Sequence, residues 1–278
     1  MAQDSRGRHD PNGGGLTPVD PIRPVAPYIG GKRNLARRLT ALIEATPHHT
    51  YAEAFVGMGG VFFRRRSRPR CEIINDLSGD VANLFRCMRA HPAALVEMTA
   101  LQLQSRADFD RQKREDPTAL TDLQRAARFI YLQKAAFGGK VSGRVFGVSP
   151  GQPARYRANQ VEADIAAAAR RLEGVIIEQL DWSAFIARYD RPGVLFYLDP
   201  PYFACEGDYG ADLFDRSAFS AMAEHLGRLK GRFILSLNDR PEVREIFAAF
   251  DIEAVDTHYG IAGSGAQPAR EVIITGGG

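Results

Sequence analysis

The chain has only three cysteines, one tryptophan and almost no net charge, +3 over 278 residues. An odd number of thiols cannot all pair within one chain, and Cys71, Cys87 and Cys205 lack the spacing of metal ligands. A reduced, cytoplasmic protein with no disulfide frame and no metal is therefore expected. No apolar run is long enough to span a bilayer. Met1 to Asp20 is polar, carries Gly13-Gly14-Gly15 and has no signal-peptide core, so residues 1–20 read as a disordered leader. No Gly-Lys-Ser/Thr phosphate loop follows any strand, and no clustered carboxylate set points to a metal-dependent nuclease. Internal repeats are also lacking.

The hydrophobic share of 45% and charged share of 25% suit a soluble globular protein. The length suits one large domain, or a core with a smaller insert. Acidic residues are missing from one window: Arg125 to Arg157 holds Arg125, Arg128, Lys134, Lys140, Arg144, Arg155 and Arg157, with no Asp or Glu. Phe129, Tyr131, Phe137, Phe146 and Tyr156 interleave with these cations. Basic residues among aromatics and glycines suit a phosphate backbone, and Lys134, Lys140, Arg144 and Arg155 are the candidate DNA contacts. A solvated helix face followed by a surface loop is the plainer alternative.

Along the chain, apolar runs that read as strands alternate with helical periodicity. Strands are expected near Tyr51–Ala54, Glu72–Asn75, Val175–Leu180, Leu195–Leu198, Arg232–Leu237, Ile252–Asp256 and Glu271–Thr275. Helices are expected near Arg33–Glu44, Leu77–Met88, Ser183–Tyr189, Asp215–Leu229 and Pro241–Phe250. The alternation predicts an α/β fold with a doubly wound, mostly parallel sheet. It breaks between His91 and Asn159. Two helical segments there, Pro92–Gln104 and Leu120–Phe137, precede a glycine-dense, hairpin-like stretch, Phe137–Gly147. Residues 21–90 and 160–278 are thus expected to form one catalytic domain, and 91–159 an inserted recognition module.

Three stretches carry chemistry. Phe55-Val56-Gly57-Met58-Gly59-Gly60 follows a strand and opens a helix, where glycines admit a nucleoside against the backbone. Position 62 is Phe, so the dinucleotide fingerprint fails. Asp76, at the next strand end, follows Gly59 at close to the ~20-residue spacing of a carboxylate that grips a ribose; it also suits a helix N-cap. Arg64, Arg65, Arg66, Arg68 and Arg70 then read as a solvated helix end. The third stretch is Asp199-Pro200-Pro201-Tyr202. Two prolines without N–H groups hold the backbone extended at a strand's carboxyl end. A carboxylate, a free carbonyl and an aromatic ring there suit a planar group bearing an amine.

The order of these stretches resembles the DNA adenine methylase family of N6-adenine DNA methyltransferases. Phe55-Val56-Gly57-Met58-Gly59 is similar to the Phe-x-Gly-x-Gly loop of S-adenosylmethionine-dependent methyltransferases. Asp199-Pro200-Pro201-Tyr202 matches their (Asp/Asn/Ser)-Pro-Pro-(Tyr/Phe) motif. Pro27-Tyr28-Ile29-Gly30-Gly31-Lys32 is similar to the family's amino-terminal segment, and Ile74–Leu77 and Arg270–Ile274 are also family-like. The likeness runs from about Pro24 to Thr275. It implies a class I, Rossmann-like methyltransferase fold, S-adenosylmethionine as cofactor, double-stranded DNA as partner and a monomer in solution. Tyr28, Lys32, Phe55, Gly57, Gly59 and Asp76 would border the cofactor, together with Asp199, and Asp181 would hold its adenine. Asp199 and the Pro200 carbonyl would accept hydrogen bonds from the amine of a flipped adenine, with Pro201 and Tyr202 completing the catalytic segment. The family's usual tryptophan is Tyr28 here, and its Asn-Gly hairpin is Phe137-Gly138-Gly139-Lys140, so the recognised DNA sequence does not carry over. Methylation of RNA adenine or protein glutamine, and a catalytically silent nucleic-acid-binding protein, are the competing readings. An orphan enzyme and a restriction-modification partner would look alike.

Overall fold

The computed structural model describes residues 15–28, 32, 35–149, 151–203, 216–259 and 267–278. A seven-stranded sheet organises the chain. Its strands are β1 (Thr50–Glu53), β2 (Cys71–Asn75), β3 (Ile176–Glu178), β4 (Val194–Leu198), β5 (Arg232–Asn238), β6 (Asp251–Tyr259) and β7 (Gln267–Gly277). Their spatial order is β3-β2-β1-β4-β5-β7-β6. The first five pair in parallel, whereas β7 runs antiparallel to both β5 and β6. The doubly wound, mostly parallel α/β sheet is as the alternation predicts, and its reversed final hairpin holds the two last strands.

The helices are α1 (Ala36–Ala45), α2 (Gly79–Ala90), α3 (Pro92–Ala100), α4 (Arg106–Arg114), α5 (Asp122–Ala135), α6 (Ala158–Arg171), α7 (Trp182–Tyr189), α8 (Arg216–Leu226) and α9 (Pro241–Ile246). β4 shows why two layers flank the sheet. Its side chains alternate, so Leu195 and Tyr197 join one core with α1, α2, α5 and α6. Phe196 and Leu198 join the other, with Phe185 of α7, Phe219 of α8 and Val243 of α9. Both faces are covered, which is why β4 is buried along its whole length. Between residues 91 and 159 the chain forms α3, α4 and α5 outside the sheet. Phe137 N–H donates to the Val145 carbonyl and Gly147 N–H to the Ala135 carbonyl, a minimal hairpin closed by one bridge, Ala136 to Phe146.

Several local expectations need correction. Residues 17–19, inside the leader expected over 1–20, are ordered: Thr17–Pro18 pairs antiparallel with Ser67–Arg68 and Val19 N–H donates to the Arg66 carbonyl. The glycine loop leads only into a short 3-10 turn, Phe62–Arg64. Arg65 is not a solvated helix end: it is 1% exposed, lies over the Tyr51 ring and pairs with Glu72 at 2.9 Å. Arg171 of α6 grips the same carboxylate with two bonds of 2.7 Å. Helices α4 and α6 have no counterpart in the sequence reading. Cys205 and Gly30-Gly31 lie outside the described residues.

Candidate active site

The chain order reverses direction in the sheet between β1 and β4: β2 and β3 extend one side, β5 to β7 the other. At such a switch point the loops leaving neighbouring strands part, and a crevice opens at their carboxyl ends. Here the crevice is a cavity of about 580 Å³. The ends of β1 (Glu53 to Gly57), β2 (Asn75, Asp76) and β4 (Asp199, Pro201) all line it, with Tyr28 and Lys32 from the amino-terminal segment.

Asn75 fastens this edge together. Its amide donates to the carbonyls of Ala54 and Leu180 and accepts from Leu180 N–H, at 2.8–3.0 Å, tying three strand ends to each other. Asp76 follows it. One carboxylate oxygen accepts Gly57 N–H at 2.9 Å and the other accepts Ser78 N–H at 2.9 Å. Asp76 thus holds the glycine loop as well as the turn into α2, whose N-cap is Ser78. Burial pushes its pKa up to about 6, against the pull of the Ser78 and Gly57 N–H groups. Gly57 has φ +49°, and a Cβ there would come within 3.0 Å of the Tyr28 ring. Glycine is required at that position by both its backbone angle and the aromatic wall.

The catalytic candidate is held from several sides. Lys32 is 3% exposed, and its ammonium lies 2.8 Å from Oδ1 of Asp199 and 3.4 Å from Oε2 of Glu271 on β7. It also donates to the Tyr202 hydroxyl. Ser236 of β5 donates to the same Asp199 oxygen at 3.3 Å. Burial raises the Asp199 pKa to about 6; Lys32 and Ser236 oppose that rise and Glu271 adds to it. A second acid, Glu53, lines the cavity at 2% exposure and accepts the Tyr51 hydroxyl at 2.7 Å. Burial pushes its pKa up to about 8. Within one crevice, then, the Lys32 ammonium favours the ionised form of Asp199 while burial favours the protonated form of Glu53.

Of the expected residues, Tyr28, Lys32, Phe55, Gly57, Asp76, Asp199 and Pro201 line one cavity. Gly59, with φ +73°, packs against Phe63, where a Cβ would approach to 2.6 Å, so it shapes the loop from behind. Asp181 is exposed and caps α7 by accepting Ser183 N–H at 2.9 Å; its neighbours Leu180 and Trp182 line the cavity. The basic candidates separate. Lys140 is exposed. Arg144 is partly buried, with Nε donating to Gln133 Oε1 at 2.9 Å. Arg155 lies 5.1 Å from the Phe137 ring centroid and steadies the hairpin. Lys134 is mostly covered, pairs with Asp164 at 3.3 Å and lines the cavity rather than an outer surface.

Glu53, Asn75, Ser236, Asn238 and Glu271 received no role from the sequence. Glu53 and Asn75 stand at the ends of apolar strands beside the glycine loop and Asp76, which is a usable signal. Ser236, Asn238 and Glu271 reach the site only through strand pairing.

Comparison with known proteins bears on the family of the chain. The family model described as D12 class N6 adenine-specific DNA methyltransferase matches residues 28–261. The chain is 26% identical over 279 residues to the Type II methyltransferase M1.LlaDCHI of Lactococcus lactis subsp. cremoris, covering 91% of this chain and 95% of the relative. It is 20% identical over 231 residues to the Type II methyltransferase M.CviBI of Paramecium bursaria Chlorella virus NC1A, covering 82% and 88%. A solved precorrin 8W decarboxylase from Methanobacterium thermoautotrophicum superposes with a TM-score of 0.36 at 11% identity, over 87% of this chain and 89% of that one. That last likeness is too slight to bear on fold or function.

Proposed function

The chain belongs to the D12 class N6 adenine-specific DNA methyltransferase family, and from that premise we propose that it transfers a methyl group from S-adenosylmethionine to N6 of an adenine flipped out of duplex DNA. The observation that carries the reading is the meeting of Asp76, the Gly57 loop and Asp199 around one cavity. The residues fit the cofactor. Asp76 keeps lone pairs toward the cavity for ribose hydroxyls, and Gly57 admits close backbone approach beside the Tyr28 ring. Phe55, Leu180 and Trp182 supply apolar wall for its adenine, and the exposed Asp181 lies between the last two in the chain. When bound, the cofactor supplies an electrophilic sulfonium methyl.

The amine of adenine is a weak nucleophile because its lone pair is delocalised into the ring. Asp199 and the Pro200 carbonyl accept its two N–H bonds. That pyramidalises the nitrogen and frees its lone pair for in-line attack. These acceptors interact best with the charge that develops on nitrogen in the transition state, so they lower the barrier rather than only the ground state. Lys32 keeps Asp199 ionised for this work. Asp199 then takes the departing proton, directly or through water. Tyr202 stacks on the flipped base, whose extraction costs on the order of a few kcal/mol.

Residues 91–159 act as the target-recognition module on this reading, with Lys140 the most available phosphate contact and Arg144 and Arg155 shaping the hairpin. Among the described residues no helix is long and apolar enough to cross a membrane. The test is incubation of purified protein with methyl-labelled S-adenosylmethionine and unmethylated genomic DNA, followed by nucleoside analysis. Label in N6-methyladenosine is expected. Label in RNA or protein instead would move the substrate, and cofactor binding without transfer to any acceptor would make this a silent DNA-binding relative.

A further inference from the structure

β5 outruns its neighbour. Leu198, the last residue of β4, pairs with Leu235, so Ser236-Leu237-Asn238 extends past the point where the Asp199–Tyr202 segment leaves the sheet. Pro200 and Pro201 have no N–H groups, so this segment cannot continue the ladder by itself. The far side of β5 is occupied, because Asn238 pairs with Glu271 of β7. Ser236 and Asn238, two residues apart, project from the same face of the strand. Ser236 reaches Asp199 at 3.3 Å. Asn238 reaches the other end of the segment: its Oδ1 accepts Phe203 N–H at 3.0 Å and its Nδ2 donates to the Phe203 carbonyl at 3.0 Å. A side-chain amide here does what a paired peptide group would do in a sheet, and the two polar side chains of β5 bracket the Asp-Pro-Pro-Tyr segment.

We propose that Asn238 is a positioning residue for methyl transfer, whose two-point hold on Phe203 fixes the Pro200 carbonyl and the Tyr202 ring at the angle the target base requires. The assignment rests on the reading of Asp199–Tyr202 as the transfer site. Phe203 is also anchored by its ring, which is 6% exposed and lies 5.3 Å from Phe219. Losing the amide therefore frees the backbone orientation of the segment while the ring stays seated. Two strands, β1 and β4, stand between β5, which carries Asn238, and β2, which Asp76 follows, so the effect of Asn238 falls on the amine acceptor and not on cofactor binding.

Two variants of the full chain test this. Asn238→Asp keeps the acceptor but sets a carboxylate oxygen against the Phe203 carbonyl, and Asn238→Leu removes both bonds. In Asn238→Leu, which removes the acceptor of Phe203 N–H, amide hydrogen exchange at Phe203 should accelerate by about tenfold, as expected when a stabilising bond of ordinary strength is lost. The single-turnover rate of methyl transfer to unmethylated genomic DNA should fall by about 10- to 100-fold, the usual penalty for a small misplacement. The dissociation constant for S-adenosylmethionine should stay within about twofold of the parent. A purely architectural amide would lower stability and leave that split between transfer and cofactor affinity unmoved. Transfer within twofold of the parent in Asn238→Asp, or loss of cofactor affinity in step with transfer, would overturn the proposal. If Asn238→Leu does not fold, Asn238→Asp decides. If the parent chain itself labels no adenine, the proposed reaction fails, and unchanged exchange at Phe203 in a folded Asn238→Leu would separately overturn the clamp.

Discussion

Oδ1 of Asp199 receives two donors at once, the Lys32 ammonium at 2.8 Å and the Ser236 hydroxyl at 3.3 Å, so the proposed amine acceptor is already hydrogen-bonded before any substrate arrives. The second oxygen and the neighbouring Pro200 carbonyl are the acceptors this leaves for an incoming amine. The Lys32 contact also sets the charge of the site, since burial alone would favour the protonated acid.

Transfer should therefore fall as pH drops through about 6, where Asp199 takes up its proton and ceases to accept. Lys32→Met removes the ammonium that holds Asp199 ionised, so the acidic limb should move to higher pH. Asp199→Ala should cost at least about 100-fold in rate at every pH, while S-adenosylmethionine still binds. Single-turnover rates against pH for the three proteins check this; an unmoved limb in Lys32→Met would contradict the role given to Lys32.

Asp76→Ala should act on binding instead. It deletes the partner of Gly57 N–H and the acceptor for a ribose hydroxyl. The expected loss is about 1.5–3 kcal/mol of cofactor affinity, the range for a hydrogen bond to a charged group. Calorimetric titration with S-adenosylhomocysteine measures it.

Glu53 predicts a pH-dependent stability. Its folded pKa, about 8, lies above the ordinary 4.5, so the folded chain holds a proton that the unfolded chain releases. Stability is then lost as pH rises from about 4.5 to about 8, by at most ~1.4 kcal/mol per pH unit. Glu53→Gln keeps an acceptor for Tyr51 and carries no charge. Its melting temperature, relative to the parent without cofactor, should rise progressively from pH 5 to 8 and level off above.

Lys140→Ala should lower the slope of log affinity for DNA against log salt by about 0.9, the contribution of one phosphate contact. Arg144→Gln should act differently, since its Nε is already committed to Gln133 Oε1. Gln133 also donates to the carbonyls of Pro27 and Gly139, so loosening Arg144 disturbs the hairpin and the backbone beside Tyr28. Fluorescence anisotropy over a salt series separates the two.

Glu72→Ala should destabilise the fold by about 3–5 kcal/mol, because it strands the buried guanidinium groups of Arg65 and Arg171. Denaturant unfolding monitored by the single tryptophan, Trp182, reports the change.

Apolar runs, period-3.6 patterning and their alternation by themselves determined the strands, most helices and the mostly parallel character of the sheet, because burial on two faces leaves a local imprint on each segment. The glycine loop, Asp76 and Asp-Pro-Pro-Tyr were legible for a related reason: backbone angles and missing N–H groups are properties of the residues themselves. Helices α4 and α6 were not legible, as α4 is largely polar and α6 carries a weak alanine-rich stripe. Nor was Arg65, whose burial depends on Glu72 arriving from another strand. Tertiary structure alone decided that Lys32 serves Asp199, that Glu271 stands behind it, and that Asn238 holds Phe203. Register across the sheet places Glu271 beside Asn238, and the packing of the amino-terminal segment and of the Asp199–Phe203 segment against the strand ends sets the rest. Each is a relation between distant segments that neither segment records.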